Sequence, residues 1–432
     1  MNNQNMKFKD SQIAWIGQIP KDWEISKIKY VANLFTGNSI SDSQKNNFTN
    51  SENSLPYIAT KDIELDTNLV NYKNGMYIPK LNSSFKIAPK NSILLCIEGG
   101  SAGRKISFTN KDVCFVNKLC CFVAKPDFSK KFLYYYCQNP SFISEFKLNL
   151  IGLIGGVSIN NIKNFRIPLL PLNEQKEIAE FLDKKCEIID KRLSNLERKI
   201  KSLKEYKKSL ISECVTKGLN PKNKEFKDSG IPWIGQIPKH WEIRPLYFYF
   251  NERKNKNLFE NEKNLLSLSY GKIIRKNIET KDGLLPENFN GYNIIEKDDI
   301  VFRLTDLQND KVSLRTGLVK EKGIITSAYV TIKPKQKICI EFYHYLLHCY
   351  DLTKVFYNFG NGVRQNLTYK ELSKMKILVP PPLNEQKEIA EFLDKKCEKI
   401  DRLNENYTKQ IDTLKEYKKS IIYECVTGKK EI

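Results

Sequence analysis

His344 and His348 stand four residues apart, the spacing that places two imidazoles on one face of a helix and lets them hold a zinc ion. The glutamate that follows the first histidine in the HExxH zinc motif is Tyr345 here, and the surrounding FYHYLLHCY is aromatic, so core or surface imidazoles are expected instead. Gly99, Gly100 and Gly103 in GGSAGRK would cradle a phosphate in a GxxxxGK[ST] loop, and their spacing is wrong for one. Cys114, Cys120 and Cys121 lack the CxxC spacing of a zinc site. No carboxylate and lysine cluster has nuclease spacing. No catalytic residue is expected, nor any metal.

Asn139-Pro140-Ser141-Phe142 is similar to the tetrapeptide that amino-methyltransferases use to hold the amine of a flipped base. No glycine-rich cofactor loop precedes it, and it falls where a helix is expected to end, so it is read as structural. What remains is cation chemistry. The 432 residues carry 71 Lys and Arg against 50 Asp and Glu, a formal charge of +21 that suits a polyanion, with nucleic acid the leading partner. An AT-rich gene that inflates lysine accounts for part of this excess.

The position of that charge follows a repeat. PLNEQKEIAEFLDKKCEIID from Pro171 recurs as PLNEQKEIAEFLDKKCEKID from Pro382, and FKDSQIAWIGQIPKDWEI from Phe8 recurs as FKDSGIPWIGQIPKHWEI from Phe226. The stretches after the second block, Ser26 to Asn164 and Arg244 to Lys376, share no comparable identity. Leu172 to Lys217 and Leu383 to Gly428 together carry a net charge of only +2, so the other +19 lies in the inserts and links. A repeated frame with varied inserts points to two different readers held in one geometry.

Asn173 and Asn384 are good helix caps, and Glu174 and Glu385 suit a helix N-terminus. From there Leu182, Ile189, Leu196, Leu203 and Leu210 fall seven apart, with Cys186, Leu193 and Ile200 as companions. The second copy gives Leu393, Ile400, Tyr407, Leu414 and Ile421, with Cys397 and Ile411. Lys207, Asn404 and Lys418 interrupt these seams, and such polar positions set register. Each pattern predicts a helix of about 40 residues, roughly 60 Å at 1.5 Å per residue, and the two are expected to pair. The order of blocks would close a two-unit ring if the chain ends were joined, which predicts a pseudo-twofold, antiparallel helices and neighbouring termini.

The inserts read as mixed α/β. Strands are expected at Leu55 to Ile63, Ser92 to Ile97, Lys105 to Phe108 and Val113 to Ala124, then at Leu265 to Tyr270, Asp299 to Leu304, Thr316 to Lys320 and Ile324 to Lys333. Short helices follow near Phe132 to Cys137 and Glu341 to Leu352. Trp15, Trp23, Trp233 and Trp241 repeat between unlike inserts, which argues for packing rather than base stacking. Eleven cysteines are expected as thiols, with Cys186, Cys397, Cys214 and Cys425 at matching helix positions. With neither a membrane-span apolar run nor a signal-peptide core in sight, a soluble cytoplasmic protein is expected.

The WIGxIPxxWE block, the PLNEQKEIAEFLD helix start and the order insert, helix, insert, helix resemble the specificity subunit of type I restriction-modification enzymes, across essentially the whole chain. The passages DIVFRLTDLQNDKVSLRTGLV and GIITSAYV are similar to that family's target recognition domains. The resemblance implies an α+β chain with two globular target recognition domains separated by two long antiparallel coiled-coil helices. Its segments are a strap at 1–25, recognition domain one at 26–167, a spacer helix at 168–218, a linker and second strap at 219–243, recognition domain two at 244–378 and a second spacer helix at 379–432.

It further implies that each domain reads one half of a split, asymmetric double-stranded DNA site. Two methyltransferase subunits that bind S-adenosylmethionine and methylate adenine, and two restriction subunits that use ATP and Mg2+, are its implied partners. This chain itself is expected to hold no cofactor. Phosphate contacts set affinity and side chains at base edges set sequence. The candidates for these contacts are Lys61, Ser101, Arg104 and Lys105 in the first insert, and Arg303, Arg315, Thr316, Arg364 and Gln365 in the second, with Lys118 and Lys272 behind them. Two other readings fit less of the chain. One is the specificity part of a stand-alone or fused DNA methyltransferase, and the other a coiled-coil nucleic-acid-binding scaffold.

Overall fold

A computed structural model describes residues 7–152, 155–277, 286, 288–307, 314–359 and 366–432. It divides into two compact units, Met1–Glu197 with Thr408–Ile432, and Arg198–Tyr407. Among the described residues no helix is long and apolar enough to cross a membrane.

The first unit opens on the strap, where Phe8–Asp10 pairs antiparallel with Gln18–Pro20. Glu24–Lys27 then pairs antiparallel with Arg166–Leu169, so the insert leaves the frame and returns to it on neighbouring strands. Between them lies an antiparallel sheet in the order Ala32–Thr36, Leu119–Ala124, Ile93–Cys96, Ile106–Phe108. A second four-stranded sheet orders Tyr77–Pro79, Ser54–Ile58, Val113–Phe115 and Ile87–Ala88, with Ser54–Ile58 parallel to Val113–Phe115.

The second unit repeats this plan with other residues. Its strap pairs Phe226–Asp228 with Gln236–Pro238, and Glu242–Pro245 pairs with Lys376–Val379. Its main sheet orders Phe250–Glu252, Val330–Pro334, Ile300–Phe302, Thr316–Leu318, strand for strand the order of the first. Apolar residues on alternate positions cover this sheet with a helix in both cases.

Several sequence expectations change. Val113 to Ala124 is two strands in different sheets, Val113–Phe115 and Leu119–Ala124, and Ile324 to Lys333 is likewise two, Gly323–Ile325 and Val330–Pro334. The run Leu55 to Ile63 is a strand only to Ile58, because Thr60–Asp62 turns and the Asp62 carboxylate accepts from the Ala59 N–H at 2.9 Å. A second helix, Pro140–Leu148, follows Lys130–Tyr136 in the first insert. Asn139 caps it, its Oδ1 accepting from Ser141 N at 2.6 Å and Phe142 N at 3.3 Å, so the Asn139 side chain is spent on the fold.

The long helices run Leu172–Lys217, 46 residues, and Leu383–Val426, 44 residues. Asn173 and Asn384 therefore lie inside the first turn rather than capping it. The Pro171 and Pro382 carbonyls accept the first helical bonds, from Gln175 N at 3.0 Å and Gln386 N at 3.4 Å. The glutamine side chains take over the anchoring. Gln175 Nε2 donates to the Leu170 carbonyl and its Oε1 accepts from Ser129 N, both at 2.8 Å. Gln386 does the same with the Pro380 carbonyl at 2.8 Å and Cys339 N at 3.1 Å.

Each unit pairs one helix with the opposite end of the other. In the first, Trp23 Nε1 donates to Glu174 at 2.9 Å and its indole also lies against Gly428, while Asp190 pairs with Lys418, so the helices run antiparallel. In the second, Glu385 lies beside Gly218 and Asp401 pairs with Lys207, again antiparallel. The core of the first unit holds Trp23, Ile178, Leu182, Cys186, Ile421 and Cys425, and that of the second holds Trp241, Ile211, Cys214, Ile389, Leu393 and Cys397. One cysteine of each helix thus enters each core, with thiols pushed up by burial. Ile189, Leu196, Ile400 and Ile421 are buried in the seams, while Leu203, Leu210, Tyr407 and Leu414 are half-buried. The strap closes on the C-terminal helix, with Lys429 Nζ donating to the Ile16 carbonyl at 2.8 Å.

Candidate nucleic-acid interface

Each insert is fixed to its helix by the same two handles. Tyr135 donates its hydroxyl to Asp183 at 2.6 Å, and Tyr345 donates to Asp394 at 2.7 Å, with Asp183 and Asp394 at equivalent places in the repeat. Burial and the hydrogen bond to a carboxylate keep both phenols protonated. The glutamine contacts to Ser129 and Cys339 form the other handle. Identical side chains on the frame therefore grip inserts whose own sequences differ. Sequence reasoning missed these four frame residues, although their repetition was the available signal.

In the first insert the strand Ile93–Cys96 ends in a loop that folds on itself. Gly103 N donates to Cys96 O at 2.8 Å, Arg104 N to Ser101 O at 3.0 Å and Lys105 N to Ser101 O at 3.2 Å. Those amides are used inside the turn, so the glycines here shape the loop instead of lining a phosphate. Gly103 has φ +71, and a Cβ there would sit 2.6 Å from the Phe146 ring. Lys105 Nζ donates to the Thr60 carbonyl at 2.9 Å, which brings the Lys61 turn beside this loop. Lys61, Ser101, Arg104 and Lys105 thus gather at one place, with Lys61 and Arg104 exposed and Ser101 and Lys105 half-buried. Lys118 joins them through Glu98 at 3.6 Å.

The second insert separates its candidates. Arg315 is 0 % exposed, against the expectation of a surface contact. Its Nη1 donates to the carbonyls of Arg303 at 3.1 Å and Thr305 at 2.8 Å, its Nε donates to Tyr357 Oη at 3.3 Å, and its backbone N–H donates to Asp351. A buried guanidinium is stable only with such partners, and here they are main-chain oxygens of the next loop. Arg315 therefore shapes the loop that carries Arg303. Thr316 is also buried, 3.3 Å from His348 Nδ1. Arg303 is half-buried and Lys272 exposed. Arg364 and Gln365 lie outside the described residues.

Burial pushes His344 down to about 3 and His348 to about 4, so both imidazoles are neutral near pH 7. It pushes Asp351 up to about 6 and Glu145 up to about 7. The repeated glutamates at the helix starts differ. Burial raises Glu174, whereas at Glu385 burial is outweighed by hydrogen bonds from Lys224 and His240 that hold the carboxyl below its usual value. Among the described residues no group of three or more His, Cys, Asp or Glu side chains is arranged to hold a metal ion.

Residues 20–205 and 238–413 each match the family described as type I restriction modification DNA specificity domain. The chain is 25% identical over 440 residues to the type I restriction enzyme MjaVIII specificity subunit of Methanocaldococcus jannaschii, covering 95% of this chain and 94% of that one. It is 21% identical to the type I restriction enzyme EcoBI specificity subunit of Escherichia coli, covering 99% and 90%. A solved chain, from a structure of complex assembly and conformational transition in the type I R-M system, superposes with a TM-score of 0.70 at 14% identity, covering 95% of this chain and 99% of that one. With two matched domains spread over most of its length, the chain belongs to the type I restriction modification DNA specificity family, as a specificity subunit.

Proposed function

We propose that each insert reads one half of a bipartite, asymmetric double-stranded DNA site, and that the two long helices set the gap between the halves. One observation carries this reading: two units with the same main-sheet order and the same handles hold inserts of unlike sequence. Equal handles fit equal partners, and unlike inserts fit unlike half-sites. The segments are recognition domains at 26–167 and 244–378, with straps at 1–25 and 219–243 and spacer helices at 168–218 and 379–432.

Lys61 and Arg104 are exposed cations that suit phosphate contacts, with half-buried Ser101 and Lys105 beside them and half-buried Arg303 in the second insert. Arg315 and Thr316 act from below by holding the loops, and Arg364 and Gln365 complete the proposed set. The partners are two methyltransferase subunits that carry S-adenosylmethionine and methylate adenine, and two restriction subunits that carry ATP and Mg2+, in the cytoplasm. Near-identical helix starts supply two equivalent docking faces for two identical subunits.

Mapping methyladenine across the host genome, with and without this gene, tests the reading. A motif of a few bases, a fixed gap and a few bases should depend on the gene. If no such motif disappears on deletion, the proposal fails.

A further inference from the structure

The hairpin Leu266–Ser269 and Lys272–Arg275 turns through two residues, Tyr270 and Gly271, with Ser269 paired to Lys272. Both turn residues have positive φ, +46 for Tyr270 and +76 for Gly271, the signature of a type I′ turn. That turn favours Asn or Asp before the glycine, because a bulky side chain at positive φ is crowded against its own backbone. Tyr270 is nevertheless there, and it is 89 % exposed. No gain from packing explains an aromatic ring held in water on a strained backbone. A strained residue kept at an exposed tip points to function.

The hairpin is firmly held, so the ring is presented on a rigid support. Leu266 and Leu268 are buried beneath it, and Arg275 is paired with Glu321. Gly317 in the neighbouring strand makes room for it, since a Cβ there would lie 2.6 Å from Leu268 Cδ1 and 3.0 Å from Ile273 Cδ1. Gly271 sits against Leu314, the residue before Arg315, which places the tip beside the loop that Arg315 ties to Arg303. From Ser269 to Lys276 the sequence SYGKIIRK holds three cations and no carboxylate, with Lys272, Ile274 and Lys276 exposed. An aromatic ring flanked by lysines suits a base stack lined by phosphates.

We propose that Tyr270 is a DNA-contacting residue of the second insert, whose ring wedges against a base step of the second half-site while Lys272 and Lys276 contact nearby phosphates. This rests on the reading of the insert as a DNA-recognition domain. It assigns a base contact to Tyr270, in a hairpin where the sequence marked only Lys272.

The test uses the full chain assembled with its modification subunits and fluorescent duplexes bearing the methylated motif, or that motif with the first or the second half scrambled. Tyr270→Asn supplies the residue the turn prefers, so the hairpin folds at least as well and thermal stability does not fall. Affinity for the intact site should drop on the order of 10-fold or more, while discrimination of the first half is kept. Tyr270→Phe, which keeps the ring, should stay within about twofold of the parent, since stacking needs no hydroxyl.

If the parent complex binds all duplexes alike, the recognition reading itself fails. If the parent discriminates and Tyr270→Asn binds as the parent does, only the role of Tyr270 is overturned. Equal loss in Tyr270→Phe would overturn the stacking contact. Loss of complex assembly in Tyr270→Asn would assign the tip to a protein partner and also overturn the proposal.

Discussion

Lys418 donates to both carboxylate oxygens of Asp190, at 2.7 and 2.8 Å, within the first unit. Lys207 and Asp401 make the same pair in the second, at 2.6 and 2.8 Å. The two lysines that break the heptad pattern therefore reach across to the opposing helix, at positions related by the repeat. A polar seam residue satisfied only in one alignment favours that alignment over its slips. Both aspartates are about half exposed, so water weakens each pair. Asp190→Ala should cost about 1 kcal/mol, and Lys418→Met should be close to neutral in stability while admitting other registers. Urea unfolding measures the first, and cysteine cross-linking across the helices measures the second.

Arg315 and Arg104 should part company on substitution. Removing Arg315 strips the donors from two loop carbonyls and should cost about 3 kcal/mol or more of stability. Arg104→Ala at an exposed position should change stability by no more than about 0.5 kcal/mol. Its DNA affinity should fall, with a salt slope about one unit shallower if it contacts a phosphate. Calorimetric unfolding beside salt-dependent binding separates the two effects.

Acid should loosen the second unit before the first. His344 and His348 have folded values near 3 and 4, below the value of about 6.5 in an unfolded chain, so between these limits the unfolded state binds more protons and stability falls with pH. Asp351, raised to about 6, opposes one of the two histidines between about pH 4 and 6. The net loss is on the order of 1 kcal/mol per pH unit at most. In the first unit Glu145, raised to about 7, has the opposite sign. Its folded state binds the proton more tightly, so its contribution favours folding as pH falls from 7 toward 4.5. Scanning calorimetry between pH 7 and 5 should show one transition moving down more than the other.

Exchange of Ser26 to Asn164 for an unrelated recognition domain should change one half-site and leave the other intact. The insert enters and leaves on paired strands, with Lys27 opposite Arg166 and Ile28 N bonded to Phe165 O at 2.9 Å, so the graft joins at two adjacent points. A donor domain that keeps a tyrosine opposite Asp183 and a free backbone N–H opposite Gln175 should fold on this frame. Methylome sequencing reads the outcome.

Adding or deleting four residues between Leu193 and Leu210 should alter the gap between half-sites and leave both halves unchanged. Four residues are about 6 Å of helix axis. If instead the half-site sequences change at constant gap, the spacer role is wrong.

The duplicated blocks, the heptad spacing of Leu182 to Leu210 and the near-neutral helices were legible from the chain alone, because helix pairing depends on a one-dimensional period that any reader can count. The strand-rich inserts were legible in outline for the same reason, with errors at Ile58 and Asn139 where a side chain took over a turn or a helix end. Basic loops could be named, and four of the first insert's residues do gather, but the sequence weighed Arg303 and Arg315 alike. Only the tertiary structure separated them, since an arginine's charge says nothing of whether loop carbonyls or solvent will surround it. Tyr270 was hidden in the same way. Tyr270 read as the last residue of the expected strand Leu265 to Tyr270, and its exposure on a strained turn exists only once Leu266, Leu268 and Gly317 have folded beneath it.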